Sequence, residues 1–293
     1  MKTNSSISHA LLALFAAGLA VNAHAYTWGG KLDMLVVAEQ TDATVKPAQP
    51  TAALPAYYVA FDGGYIEGGD PIGGLRPPPP AAVAEALTAS LASQHYLPAT
   101  AQASPSLVLV YHWGLLNRDS HQLRTSFNLQ PNLTARIGLV ATAKYAARIN
   151  EDLLDQRQPG PIHPPILDPT ERDLIQVAAD NRFFVIVSAY DFGSVARGDA
   201  KLLWRVKMST RSAGVGMAEA MPTLLQGGAP FFGLDLPATQ YLQQPLAAAV
   251  AASAPAPAMP PEVARQLNQA YLDGLIHQEH VKFAGEVLIE DAR

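Results

Sequence analysis

The chain has no cysteine among its 293 residues, which excludes disulfides, thiol catalysis, thiolate metal sites and lipid attachment through a cysteine. Stability has to come from packing. Charge is scarce as well: Asp, Glu, Lys and Arg make up 15% of the chain, against roughly 25% in ordinary soluble domains. The net charge is -5, and no run of Lys or Arg occurs. Nucleic acid is therefore not expected as a partner, because phosphate binding needs concentrated cations to displace counterions. After Val21 no apolar run approaches the ~20 residues needed to cross a bilayer. No transmembrane segment is expected beyond that point.

Apolar residues, at 49% of the chain, suffice for a packed core in one large domain or two modest ones. The apolar residues begin with an export pattern. Lys2 is followed by the unbroken apolar run Ala10 to Val21 and by Ala23-His24-Ala25, which places small residues where a signal peptidase cuts. The pattern predicts a signal peptide over residues 1–25, cleavage near Ala25, and a periplasmic or secreted mature chain starting at Tyr26.

Pro and Ala punctuate the remainder of the chain. Residues 26–56 form an N-terminal strap or linker with a short strand-like run at Met34 to Ala38. Residues 57–235 form the main domain, 236–261 an Ala/Pro-rich linker, and 262–293 a C-terminal helical segment. Within the main domain, Tyr57 to Phe61 has strand composition, closed by turn residues Asp62-Gly63-Gly64 and followed by a Gly/Pro-rich loop to Pro80. Val83, Leu87 and Leu91 give a helical stripe, Leu107 to Trp113 a buried strand interrupted by His112, and residues 132–155 one long helix. Asp168, Pro169 and Glu171 announce the next helix. Phe183 to Tyr190 should pair antiparallel with Ala200 to Ser209. In the second of these, Leu202, Trp204, Val206 and Met208 face one way, while Lys201, Arg205 and Lys207 face water beside the apolar exception Leu203. Irregular order with a hairpin predicts an α+β fold: a mixed, partly antiparallel sheet with helices packed mainly on one face, plus Pro/Ala-rich linkers.

Four motifs suggest chemistry and are better explained by local structure. Asp191-Phe192-Gly193 copies a kinase magnesium tripeptide without the other kinase parts, so a turn after a strand suffices. His277 and His280 stand three apart, one residue short of the zinc-protease spacing and without a third ligand, which fits a solvated helix end. Gly214-Val215-Gly216 precedes a helix but lacks the third glycine of a phosphate cradle. Asn132-Leu133-Thr134 has the form of a glycosylation sequon, and Asn132 equally caps a helix. No cofactor and no metal site are predicted.

His112 is the one polar break in an apolar strand. In a cleft with the strand-end carboxylates of Asp62 or Asp191 it could serve as a general base, whereas a core histidine with one satisfied hydrogen bond would be purely structural.

Gln94-His95-Tyr96-Leu97 closing a helix, the strand Leu107 to His112, and the hairpin phrase Leu202-Leu203-Trp204-Arg205 resemble those of small bacterial envelope domains of unknown function, often lipoproteins. The chain departs from that pattern in lacking the lipid cysteine and in carrying a helical insertion over 117–181. The resemblance implies an α+β domain in the envelope and no reaction. The expectation is a non-enzymatic protein that binds another envelope protein or a cell-wall component. The alternatives are an exported hydrolase built on His112, Asp62 and Asp191, and a small-ligand module using the Gly-rich loop 62–76.

Overall fold

Ten consecutive buried residues make Leu107–Leu116 (β4) an interior strand of a sheet covered on both sides. A computed structural model describes residues 30–41, 49–118, 133–155, 167–247 and 259–284; the predicted signal peptide, Asn132 and the segment after Ala284 lie outside them. The other strands are β1 (Lys31–Gln40), β2 (Ala56–Gly68), β3 (Tyr96–Pro98), β5 (Arg182–Asp191), β6 (Leu202–Arg211) and β7 (Gln240–Pro245). They form one sheet in the order β3-β2-β4-β5-β6-β1-β7. β2 runs parallel to β3 and β4, and every other pairing is antiparallel. The fold is α+β with a mixed sheet.

Among the described residues eight helices cover it: α1 (Pro80–Ala92), α2 (Leu133–Val140), α3 (Ala143–Asp155), α4 (Pro169–Ala178), α5 (Phe192–Ala196), α6 (Met217–Gly228), α7 (Pro261–Gln266) and α8 (Gln269–Ala284). α1 and α6 cover one face. There Met34, Val36, Leu109, Trp113, Val185, Val187, Trp204 and Met208 form an unbroken apolar layer. Trp204 stacks on Phe232 with ring centroids 5.7 Å apart. Gly227 and Gly228 let α6 lie close, since a Cβ there would stand 2.5 Å from the Met34 sulfur and 2.1 Å from the Met208 sulfur. The other six helices lie on the opposite face, over two separate apolar patches.

Several boundaries differ from those the sequence suggests. The strap contains β1, which sits inside the sheet between β6 and β7, and the expected linker contains β7 at the sheet edge. Both belong to the same sheet as residues 57–235, and α8 packs back on β2 and β4. The turn expected at Asp62-Gly63-Gly64 is a β-bulge, and the strand continues to Gly68; one inserted residue bends a strand without ending it. The long helix over 132–155 is two helices. Their break straddles an ion pair: the Gly138 and Ala141 carbonyls accept from the Lys207 ammonium at 2.8 Å each, and the Ala143 N–H donates to the Glu39 carboxylate. Groups left unpaired at two helix ends are thus satisfied by opposite charges, with Lys207 and Glu39 2.9 Å apart.

The Asp168 cap forms as expected, its carboxylate accepting from the Glu171 N–H at 2.9 Å while the Glu171 carboxylate accepts from the Asp168 N–H at 2.8 Å. The pairing of β5 with β6 and the inward face of Trp204, Val206 and Met208 are also as expected; Leu202 is not, because a register shift between Ala189 and Tyr190 turns it to the other face and lets Leu203 pack against the Trp204 layer. The wet face is not. Lys207 is 5% exposed and the Arg205 side chain 13% exposed, because α2 and α8 lie over them.

Candidate functional site

Between the two apolar patches runs a polar band made by residues that share one face: Gly63 on β2, His112 on β4, Ser188 on β5, Arg205 and Lys207 on β6, and Glu39 on β1. The second half of α8 lies over it. His112 has no exposed surface, and its ring rests directly on Gly63, where a Cβ would fall 2.3 Å from Nε2. The ring centroid is 5.8 Å from that of His280 and 5.5 Å from that of Phe283. His280 faces the Gly63 carbonyl through Nδ1 at 3.1 Å. Neither nitrogen of His112 has a well-formed hydrogen bond among the described residues; the main-chain group acting on the ring is that of Ile276. Burial first, then the neighbouring His280 and Arg205 charges, lower its pKa from 6.5 to about 4, and the Ile276 main chain opposes them. The imidazole is therefore neutral at pH 7.

Beside it, Glu279 of α8 is 5% exposed. It pairs with Arg205 and accepts from the Tyr190 hydroxyl at 2.5 Å. Arg205 also donates from Nε to the Ser188 hydroxyl at 2.9 Å and lies over the Phe283 ring at 5.1 Å. Burial holds the Lys207 and Lys282 ammonium groups below their usual range, and Glu39 and Glu279 respectively oppose it. The band fastens α8 to the sheet. It has the residue types of a Ser-His-Glu site without the connection, since the Ser188 hydroxyl is engaged by Arg205 and not by His112.

The three candidate residues do not converge. Asp62 pairs with Tyr111 in register, on the face opposite His112. Its carboxylate accepts from the Gly64 N–H at 2.9 Å, and burial raises its pKa while bonds from Gly64, Trp113 and Tyr111 restrain the rise. Asp191 lies opposite Leu107, and His112 opposite Ile186; five rows at ~3.4 Å each separate them by about 17 Å. Asp191 caps α5 by accepting from the Ser194 N–H at 2.7 Å, the local role that explains its tripeptide. His277 is exposed and Glu279 buried, so the solvated-end reading holds for half of that motif. No group of three or more His, Asp or Glu suited to a metal occurs among the described residues. At Gly216 the Glu219 carboxylate accepts the N–H that a phosphate would use, at 3.4 Å.

Sequence reasoning missed Ser188, Tyr190, Lys207, Glu39 and Glu279 as members of the band. Their signal was parity: polar residues recurring at the same face of adjacent strands.

The larger openings lie elsewhere. A cavity of about 320 Å³ beside β2 is lined by Tyr58, Asp62, Thr88, Tyr111, Met259 and Pro260 among others. Another of about 360 Å³, across the sheet, is lined by Asp33, Leu35, Val177, Arg182, Arg211 and Tyr241 among others. Of the Gly-rich loop 62–76, only Asp62 lines either.

No family model matches the chain, and no curated protein does. Among solved structures it is similar to a PDZ domain protein from Parabacteroides distasonis, with a TM-score of 0.39 and 7% identity over 73% of this chain. The match spans 39% of that protein and is too distant to bear on function. No helix among the described residues is long and apolar enough to cross a membrane.

Proposed function

We propose that this is an exported, non-enzymatic protein of the bacterial envelope that binds an extended segment of another envelope component as an added strand on β2. The observation that carries the reading is the outer edge of β2. β3 pairs only with Ala56 to Tyr58, so from Val59 to Gly68 that edge has no partner strand among the described residues. The Ala99 N–H takes the Tyr58 carbonyl at 2.8 Å, whereas the Tyr57 carbonyl faces the other side toward Ser106. Alternation then turns the N–H and C=O of Ala60 outward, beside the 320 Å³ cavity. The signal-like N-terminus supports export. The sealed His112, with no bond to Ser188, weighs against the hydrolase alternative.

Photocrosslinking from position 60 in the cell envelope tests the proposal. A strand-adding partner gives crosslinks to one short peptide, lost in an Ala60→Pro variant that keeps the wild-type melting temperature. Hydrolytic turnover that disappears in a folded His112→Gln variant would overturn it.

A further inference from the structure

The second large cavity lies on the face of the polar band, at the far end of the sheet from β2, and holds a buried guanidinium that the fold leaves without a directly bonded carboxylate. Arg182 is 3% exposed. Its guanidinium donates from Nε to the Ser209 hydroxyl at 3.1 Å and from one terminal nitrogen to the Ser209 carbonyl at 3.2 Å. No carboxylate lies within ion-pair distance of it among the described residues. A guanidinium has five N–H donors in a rigid fork. The donors not used by Ser209 have no partner among the described residues, and the side chain lines the 360 Å³ cavity. Burial is the main cause that lowers its pKa to about 10, with Arg211 acting in the same direction and Asp180 and Tyr241 opposing. The group stays charged at neutral pH.

A buried charge without a partner is costly, and a cavity at its side lets a ligand supply the partner. The surroundings select the ligand's chemistry. Arg211 already holds Asp180 at 2.7 Å, the Asp33 carboxylate accepts from the Gln243 side chain at 2.9 Å, and Asp173 acts electrostatically on Tyr241. Three carboxylates near the Arg182 and Arg211 guanidinium groups disfavour a dianion such as phosphate. A single planar carboxylate matches both the charge and the fork. Tyr241, 60% exposed, gives the cavity an apolar wall opposite Val177. We propose that this cavity is a carboxylate-binding site with Arg182 as its anchor, independent of the β2 edge.

The carboxylate could belong to a small acid or to the end of a peptide chain, and the probes separate the two. Acetate, N-acetyl-Ala-Ala and N-acetyl-Ala-Ala-amide are titrated into the purified chain and followed by NMR at the Arg182 Nε and at the amides of Leu35, Val177 and Tyr241. Expected is a response at those positions to both acids, with the amide at least about tenfold weaker than the dipeptide acid, as the loss of a charge-assisted bond implies. Acetate binding as well as the dipeptide identifies a small acid, and tighter dipeptide binding identifies a chain end. Arg182→Lys keeps the charge and loses the fork, and should weaken the dipeptide acid about tenfold. Because position 182 is buried, the exposed Tyr241→Ala serves as a second variant and should weaken binding with an unchanged melting temperature. Equal binding of acid and amide, responses confined to other positions, no response to either acid, or wild-type affinity in Arg182→Lys would each overturn the proposal.

Discussion

On the face beneath α1 and α6, alternate residues of the strands meet in one apolar layer, and Trp204 lies at its centre against Phe232 and Tyr96. On the other face the same alternation produces two apolar patches divided by His112, Ser188, Arg205, Lys207 and Glu39. The first face is held mainly by packing, with the Thr223 hydroxyl of α6 accepting the Ala247 N–H at 3.0 Å. The second is held partly by hydrogen bonds and ion pairs that reach up to α2, α3 and α8. A period of two fixes which residues share a face, but whether that face meets water or another element is decided elsewhere in the chain.

The comparison breaks most sharply at Trp204. Trp204→Ala should cost about 3 to 5 kcal/mol, because a fully buried ring is lost from a layer that cannot collapse around the gap. A denaturant midpoint close to wild type would show the layer to be loosely packed.

The polar face carries a titration that should show in the stability–pH profile. His112 titrates at about 4 in the folded chain and near 6.5 when unfolded. Between those values the unfolded state binds the extra proton, so stability rises with pH. The contribution is complete above pH 6.5 and lost as pH falls toward 4, a change of about 3 kcal/mol. His112→Leu should remove that slope from the stability–pH profile, and an unaltered slope would place the titration elsewhere.

A smaller effect is expected at the latch itself. Glu279→Gln leaves Arg205 facing an amide and should cost about 2 kcal/mol, the worth of a hydrogen bond to a charged group. Hydrogen exchange should then accelerate in α8 and not in α6; uniform acceleration would mean that α8 is not an independently fastened element. Least of all should change at His277. His277→Ala, on the solvent side of the same helix, should stay within about 0.5 kcal/mol of wild type by thermal melting.

Much of the sheet's centre was legible because its strands are either wholly apolar or cleanly alternating. β4, β5, β6 and the Asp168 cap carry their own signals. β7, with the sequence QYLQQP, has no apolar period and joins the sheet only because β1 offers it an edge. The split between α2 and α3 was hidden because apolar spacing continues across Ala141 and Thr142, while the reason for the break, the Lys207–Glu39 pair, comes from distant strands. The candidate site was half legible. His112 stood out as a polar residue in an apolar strand, but its neighbours come from β2, β6 and α8, and nothing local to His277–His280 says that Glu279 and His280 turn inward.

β1 lies between β6 and β7, with Met34 opposite Thr210 on one side and Leu242 on the other. Among the described residues the first strand thus waits for the last. Until β6 has been made, β1 has no partner, and until residue 245 has been made, its outer edge is bare. Pairings so far apart along the chain delay the reward for closing the loop, which places this topology among slow folders. The inner strands β2, β4, β5 and β6 can pair without β1, so β1 and β7 are the strands that this topology leaves for last.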